Sequence, residues 1–301
     1  MLKDTADGFC MALADSVPGV SGGTVAFIMG FYDQLIGSVN SLIFEKAREK
    51  SKGFRYLIRL GIGWAAGMGL AVLILNALFE QNIHMISSLF IGFIIGALPV
   101  VCAEERQAVR QWKKGLPFFL AGAFVVVGIT LLNTSLPSTS MNLAAFSPVL
   151  AIRLFLIGMV AICAMFLPGI SGSTMLLIFG AYLPIMQALK ELLHLNMSYL
   201  PAVLVFMLGL VAGTVSIVKV IKDSLEKFRP QMVGLILGMM AASLYAIVMG
   251  PVTLDHPQAP LNLSNFSIPA CLIGAALIFL MQVVKRKNSQ KASAVSTRVH
   301  E

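Results

Sequence analysis

Pro18-Gly19-Val20-Ser21-Gly22-Gly23-Thr24 returns half a chain later as Pro168-Gly169-Ile170-Ser171-Gly172-Ser173-Thr174. Read on without gaps, Ile28, Gly30 and Tyr32 meet Ile178, Gly180 and Tyr182, so eight of fifteen positions coincide. A constant offset of that size marks an internal duplication. The repeated element is a glycine- and hydroxyl-rich break inside apolar sequence. In a membrane chain, helix breaks at corresponding places of two halves point to the substrate site.

The surrounding composition makes this a membrane chain. Of 301 residues, 57% are apolar and 12% charged, against about 25% charged in soluble domains. Clear apolar runs occupy 57–79, 86–103, 116–132, 200–220, 232–249 and 268–284, and two more flank the motifs at about 5–38 and 147–190. The first pair of flanks, 4–17 and 24–38, is too short to cross: about 15 residues of helix reach only about 22 Å. The spacing therefore predicts a re-entrant helical hairpin with the motif at its tip. The second pair, 149–167 and 173–189, is long enough for two spans, and its likeness to the first half favours re-entry.

Charge supplies the orientation. All but two of the 22 basic residues fall at Lys3, in 39–59, in 104–115, in 219–230 or in the tail 285–301, whereas 80–85, 133–147 and 250–267 hold none. The exceptions are Arg153 and Lys190. This alternation is the positive-inside pattern of three crossings per half with both termini cytoplasmic. The net charge of +8 belongs to these segments and gives no reason to expect a nucleic-acid partner. One hairpin plus three spans crosses an odd number of times, so the second half must lie inverted relative to the first. The expected fold is an all-α polytopic membrane protein, a single domain over 1–301. Repeat one covers 1–132, repeat two covers 146–284, and a basic cytoplasmic tail follows. No cleavable signal peptide is evident. Gly63 and Gly67 parallel Gly209 and Gly213, and Gly92 and Gly96 parallel Gly234 and Gly238; such pairs serve close helix packing.

At each tip, Pro18-Gly19 and Pro168-Gly169 end the incoming helix, because proline lacks an N–H and glycine tolerates unusual backbone angles. Ser21, Gly22, Gly23 and Thr24, and likewise Ser171, Gly172, Ser173 and Thr174, open the outgoing helix. Backbone N–H groups and the positive dipole end collect there, which suits an anion; equally, the hydroxyls can cap the half-helices. The pattern lacks the lysine of a nucleotide P-loop. Arg153 either adds a cation for an anionic headgroup or snorkels to the outer interface. Asp15 either binds a coupling proton or sodium ion or hydrogen-bonds the broken backbone, with the structural role preferred. Tyr32 and Tyr182 read as interface anchors, and Asp33 as interfacial.

Chemistry is sparsely supplied. Cys10, Cys102, Cys163 and Cys271 form no close-spaced set and read as reduced apolar residues. His84, His194, His256 and His300 fall in expected loops or the tail, and no nucleophile–base pair has useful spacing. No metal, cofactor or enzymatic activity is expected.

The two motifs, D-S-V-P-G-V-S-G-G-T and F-L-P-G-I-S-G-S-T-M-L-L-I-F-G-A-Y, resemble those of the bacterial polyprenyl-phosphate transporter family over roughly 5–285. The resemblance implies a translocase, set among membrane lipids in the bacterial cytoplasmic membrane. It would return undecaprenyl phosphate from the outer to the inner leaflet for envelope synthesis, with 18–24 and 168–174 as the headgroup site. A small-anion or ion-coupled solute transporter is the alternative that the same helix ends allow.

Overall fold

A computed structural model of the chain describes residues 2–15, 21–70, 76–135, 143, 147–253 and 258–280. Pro18, Gly19 and the tail 285–301 lie outside the described residues. Among those described there is no strand. The helices are α1 (Leu2–Asp15), α2 (Gly22–Met29), α3 (Tyr32–Phe44), α4 (Ala47–Leu70), α5 (Asn76–Glu104), α6 (Arg106–Arg110), α7 (Trp112–Ser135), α8 (Pro148–Phe166), α9 (Gly172–Ile178), α10 (Tyr182–Leu193), α11 (Leu200–Lys227) and α12 (Arg229–Met249). A shorter apolar helix, α13 (Ile268–Leu280), follows. By length and composition, five segments can cross a membrane: Asn82–Glu104, Trp112–Leu132, Pro148–Phe166, Met197–Lys227 and Arg229–Val252. The chain is a multi-pass membrane protein.

Two boundaries differ from the sequence expectation. The basic stretch 39–59 is mostly helical, since α4 starts at Ala47. It is steadied by a Lys52–Glu49 pair one turn apart and by Gly53, whose α-carbon lies against Ser38 and Ser41. The outgoing arm after each motif is also not one helix but two. Gly30 and Gly180 take φ of 76° and 65°, the left-handed region that favours glycine. The Gly30 N–H closes α2 onto the carbonyls of Ala26 and Phe27, in the manner of a left-handed helix cap.

Glycines set how the long helices meet. A Cβ on Gly63 would lie 1.8 Å from the Thr5 carbonyl oxygen, and one on Gly67 2.7 Å from that of Phe9. The partner numbers climb together, so α1 and α4 run parallel with their backbones touching. In the second half, Gly209 meets Phe155 and Gly213 meets Met159, so α8 and α11 are parallel as well. Gly8 against Leu60 and Gly158 against Phe206 complete the same set.

The next pairs cross between halves. Gly92 and Gly96 of α5 touch Cys271 and Ala275 of α13, whereas Gly234 and Gly238 of α12 touch Gly115 and Phe119 of α7. Corresponding glycines thus hold corresponding neighbours, but each half lends one helix to the other. Lipid gives apolar side chains no driving force to associate, so close packing of small residues carries such interfaces. The largest core cluster spans both halves. Phe27, Phe31 and Tyr32 of the first lie with Val218, Ile221, Ile236 and Met240 of the second.

Candidate functional site

The first tip is built around Ser21. It is 2% exposed and holds an extended backbone (φ −124°, ψ 134°), and its Oγ accepts from the Gly23 N–H. The next donors are also engaged. The Gly22 N–H donates to Asp15 Oδ1 at 2.6 Å, and the N–H groups of Thr24 and Val25 donate to the Ser21 carbonyl. Asp15 Oδ2 accepts from Trp64 Nε1 at 3.0 Å. A carboxylate of the chain itself therefore sits at the amino end of α2, where the dipole and the loose N–H groups favour negative charge. This is the hydrogen-bonding role preferred above for Asp15. Trp64 was not singled out from the sequence; its place one turn after Leu60, on the face of α4 that meets Gly8, is the signal that follows once α1 and α4 are known to touch.

The second tip carries Gly169 at φ 90°, with its α-carbon against Met239 of α12, where a Cβ would lie 2.8 Å from backbone. Glycine is required there on both counts. Ser171 is buried and its carbonyl accepts from the Met175 N–H. Gly172 and Thr174 are half-buried at the start of α9, and Ser173 stands between them.

The two tips touch. The Gly169 N–H donates to Thr24 Oγ1 at 2.7 Å, and the α-carbon of Gly23 lies against the Met165 carbonyl at the end of α8. Tyr32 joins them too: its hydroxyl donates to the Phe166 carbonyl at 2.7 Å. At 2% exposed, Tyr32 is a buried strut and not the interface anchor expected from sequence. Tyr182, its counterpart, is half-buried.

Arg153 is not brought to the tips. Its side chain is exposed, and it lies thirteen residues before Phe166 along α8, about 20 Å of helix away. Asp33, in contrast, does take part in an inter-half contact. Its Oδ2 accepts from Arg229 Nη1 at 2.9 Å, while Glu105 receives Nε of the same guanidinium at 3.0 Å and also Nη2. Among the described residues no group of three or more His, Cys, Asp or Glu is placed to hold a metal ion.

Residues 11–265 match the family described as undecaprenyl phosphate translocase-like. The chain belongs to that family. Within its reach, a polyprenyl-phosphate transporter of Staphylococcus aureus is 36% identical over 245 residues, covering 81% of this chain and 84% of the relative. A polyprenyl-phosphate transporter of Vibrio cholerae is 33% identical over 277 residues, covering 86% and 83%. No solved structure matches. Both motifs, with α2, α8 and α9, fall inside the family match, and α1 enters it only at residue 11, so the tip-to-tip contact lies within the part of the chain that the family shares.

Proposed function

We propose that this protein carries undecaprenyl phosphate, or a closely related polyprenyl phosphate, from the outer to the inner leaflet of the bacterial cytoplasmic membrane. The phosphate passes the two tips while the prenyl tail stays in lipid. The observation that carries this reading is the hydrogen bond from Gly169 to Thr24, which joins two duplicated, glycine-rich breaks in one place. The names of the relatives supply the cargo.

The architecture that goes with it is two inverted repeats, each a re-entrant hairpin followed by three spans. Parallel packing of α1 with α4 supports this, because a chain that leaves and rejoins parallel helices must double back between them. With 14 residues, α1 extends about 21 Å, short of the roughly 30 Å of hydrocarbon. The 19-residue α8 extends about 28 Å, yet its parallel contact with α11 calls for the same return. The basic ends of α4, α7, α11 and α12 then face the cytoplasm, with both termini.

The donors of the first tip are already spent on Asp15, Ser21 and carbonyls, so the headgroup meets the tips unequally. At the second tip the position of Asp15 is taken by Met165, which carries no charge. In this reading Ser171, Gly172, Ser173 and Thr174 receive the phosphate first, and Ser21, Gly22, Gly23 and Thr24 follow when Asp15 yields. Protonation of Asp15, or its capture of a sodium ion, would be one way to make it yield. Arg153 serves the outer membrane surface.

The test is reconstitution of the full chain in liposomes with labelled undecaprenyl phosphate, following leaflet exposure. Acceleration over empty liposomes is expected. Its absence under any ion gradient overturns the proposal, and movement of inorganic phosphate instead would favour a small-anion carrier. Asp15→Ala gives a sharper check. It frees the Gly22 N–H and Trp64 Nε1 and removes a competing charge, so the protein in detergent should bind the labelled lipid about tenfold more tightly. Unchanged affinity would remove the α2 end from the path.

A further inference from the structure

Away from the tips, one cluster of charged side chains ties the halves together. Arg229 opens α12, Glu105 follows α5, and Asp33 lies in the first turn of α3. Glu105 takes two nitrogens along one edge of the guanidinium, Nε and Nη2, a fork geometry that lysine cannot reproduce. Asp33 takes the remaining Nη1. The Glu105 side chain is 16% exposed and that of Asp33 52%, so one partner is held inside and the other stands at the surface.

These three residues border a pocket of about 170 Å³ whose other walls include Phe27, Tyr32, Val101 and Glu104. Phe27, Tyr32 and Val101 are buried. Through the Tyr32 hydroxyl this inner wall is bonded to Phe166, the last residue of α8 before the second tip. One wall of the pocket is thus bonded to the end of α8, beside the second tip.

The corresponding positions of the duplication do not repeat these charges. The register that pairs Gly92 with Gly234 pairs Ser87 with Arg229 and Glu105 with Ile247, and the register of the motifs pairs Asp33 with Leu183. No charged residue stands at any of the three counterparts. The duplication is unequal at these positions.

We propose that Arg229, Glu105 and Asp33 form an ionic latch that holds α12 to α3 and α5 and closes the path from the tips to the basic face of the protein. Opening requires Arg229 to leave Asp33 first, the exposed partner, and then Glu105. While closed, the guanidinium is taken up by Glu105 and Asp33 and its donors are not offered to a phosphate. The latch therefore keeps a headgroup at the tips until α12 moves. The identification of this face as the cytoplasmic exit rests on the proposed translocation; the latch itself does not.

The test separates the two. In full-length protein with Cys10, Cys102, Cys163 and Cys271 replaced, Val101→Cys reports on the pocket. A membrane-impermeant maleimide is applied from the basic face of vesicles. Arg229→Gln should raise the labelling rate about tenfold, Glu105→Gln nearly as much, and Asp33→Asn about two- to threefold, because the exposed partner contributes less. Arg229→Lys, which keeps the charge and loses the fork, should fall between. If Arg229→Gln does not fold, Glu105→Gln decides. Equal labelling of wild type and the folded variants overturns the latch whether or not lipid is moved. Faster labelling in a protein that moves no undecaprenyl phosphate keeps the latch and removes the cargo.

Discussion

Thr24→Val slows translocation of labelled undecaprenyl phosphate by about ten- to hundredfold, while Thr24→Ser stays near wild type. Valine matches threonine in shape, so packing around the 2% exposed side chain is kept. What is lost is the acceptor for the Gly169 N–H. That donor is buried, and a buried donor without a partner costs about 1–3 kcal/mol, or about five- to 150-fold when converted to a rate or population, which brackets the stated range. The bond is also a direct polar link between the two motifs. Without it, Gly169 has no polar reason to stay against α2, although φ of 90° and the contact with Met239 still fix its backbone on α12. The variant should therefore insert and purify normally. Wild-type rates in Thr24→Val would show that the tips work independently.

Gly63→Ala costs on the order of 3 kcal/mol or more, and Gly61→Ala costs nothing. Both glycines lie on α4. A methyl group on Gly63 would sit 1.8 Å from the Thr5 carbonyl oxygen, whereas one on Gly61 meets nothing within 4 Å. Carbon–oxygen contacts between helices settle at about 3.3–3.6 Å, so α1 and α4 would have to part by well over an ångström. That breaks the contacts of Gly8 and Gly67 at the same time, and overpacking of this kind exceeds the usual 1–3 kcal/mol. At Gly61 the helix gains alanine's better propensity, about 1 kcal/mol. Thermal unfolding in detergent measures both: a fall of the order of 5–10 °C for Gly63→Ala, and no fall for Gly61→Ala. Equal stability of the two variants would mean that α1 and α4 do not touch.

The helical class, the long apolar segments and the glycine contacts are legible in the sequence because each depends on local composition or on a short repeat. The pairing of Gly63–Gly67 with Gly209–Gly213 is an example: spacing alone marks a face meant for close approach. The partner of that face is not legible. Nothing near Gly92 announces Cys271, and nothing near Gly234 announces Gly115. The second break, at Gly30 and Gly180, shows in the sequence only as an identity of the repeat. Apolar residues on both sides read as one continuous helix, and only a backbone angle distinguishes the cap. The role of Tyr32 was hidden for another reason. A tyrosine near the end of an apolar run normally sits at the interface, and the carbonyl that holds it inside lies in the other half of the chain. Asp15 and Arg229 illustrate the same limit, since the residues they bond are fixed by the fold and not by their neighbours in sequence.

The exchange of helices between halves bears on how the protein is made. As the chain leaves the ribosome, the glycine face of α5 enters the membrane long before α13, which will cover Gly92 and Gly96. Until then that face lies against lipid or a temporary neighbour. The first half thus cannot complete itself and waits for nearly the last helix to be synthesised. A product that stops before 268 leaves Gly92 and Gly96 without the backbone that covers them in the full chain. Duplication followed by exchange has left two units that resemble each other and yet mature only together.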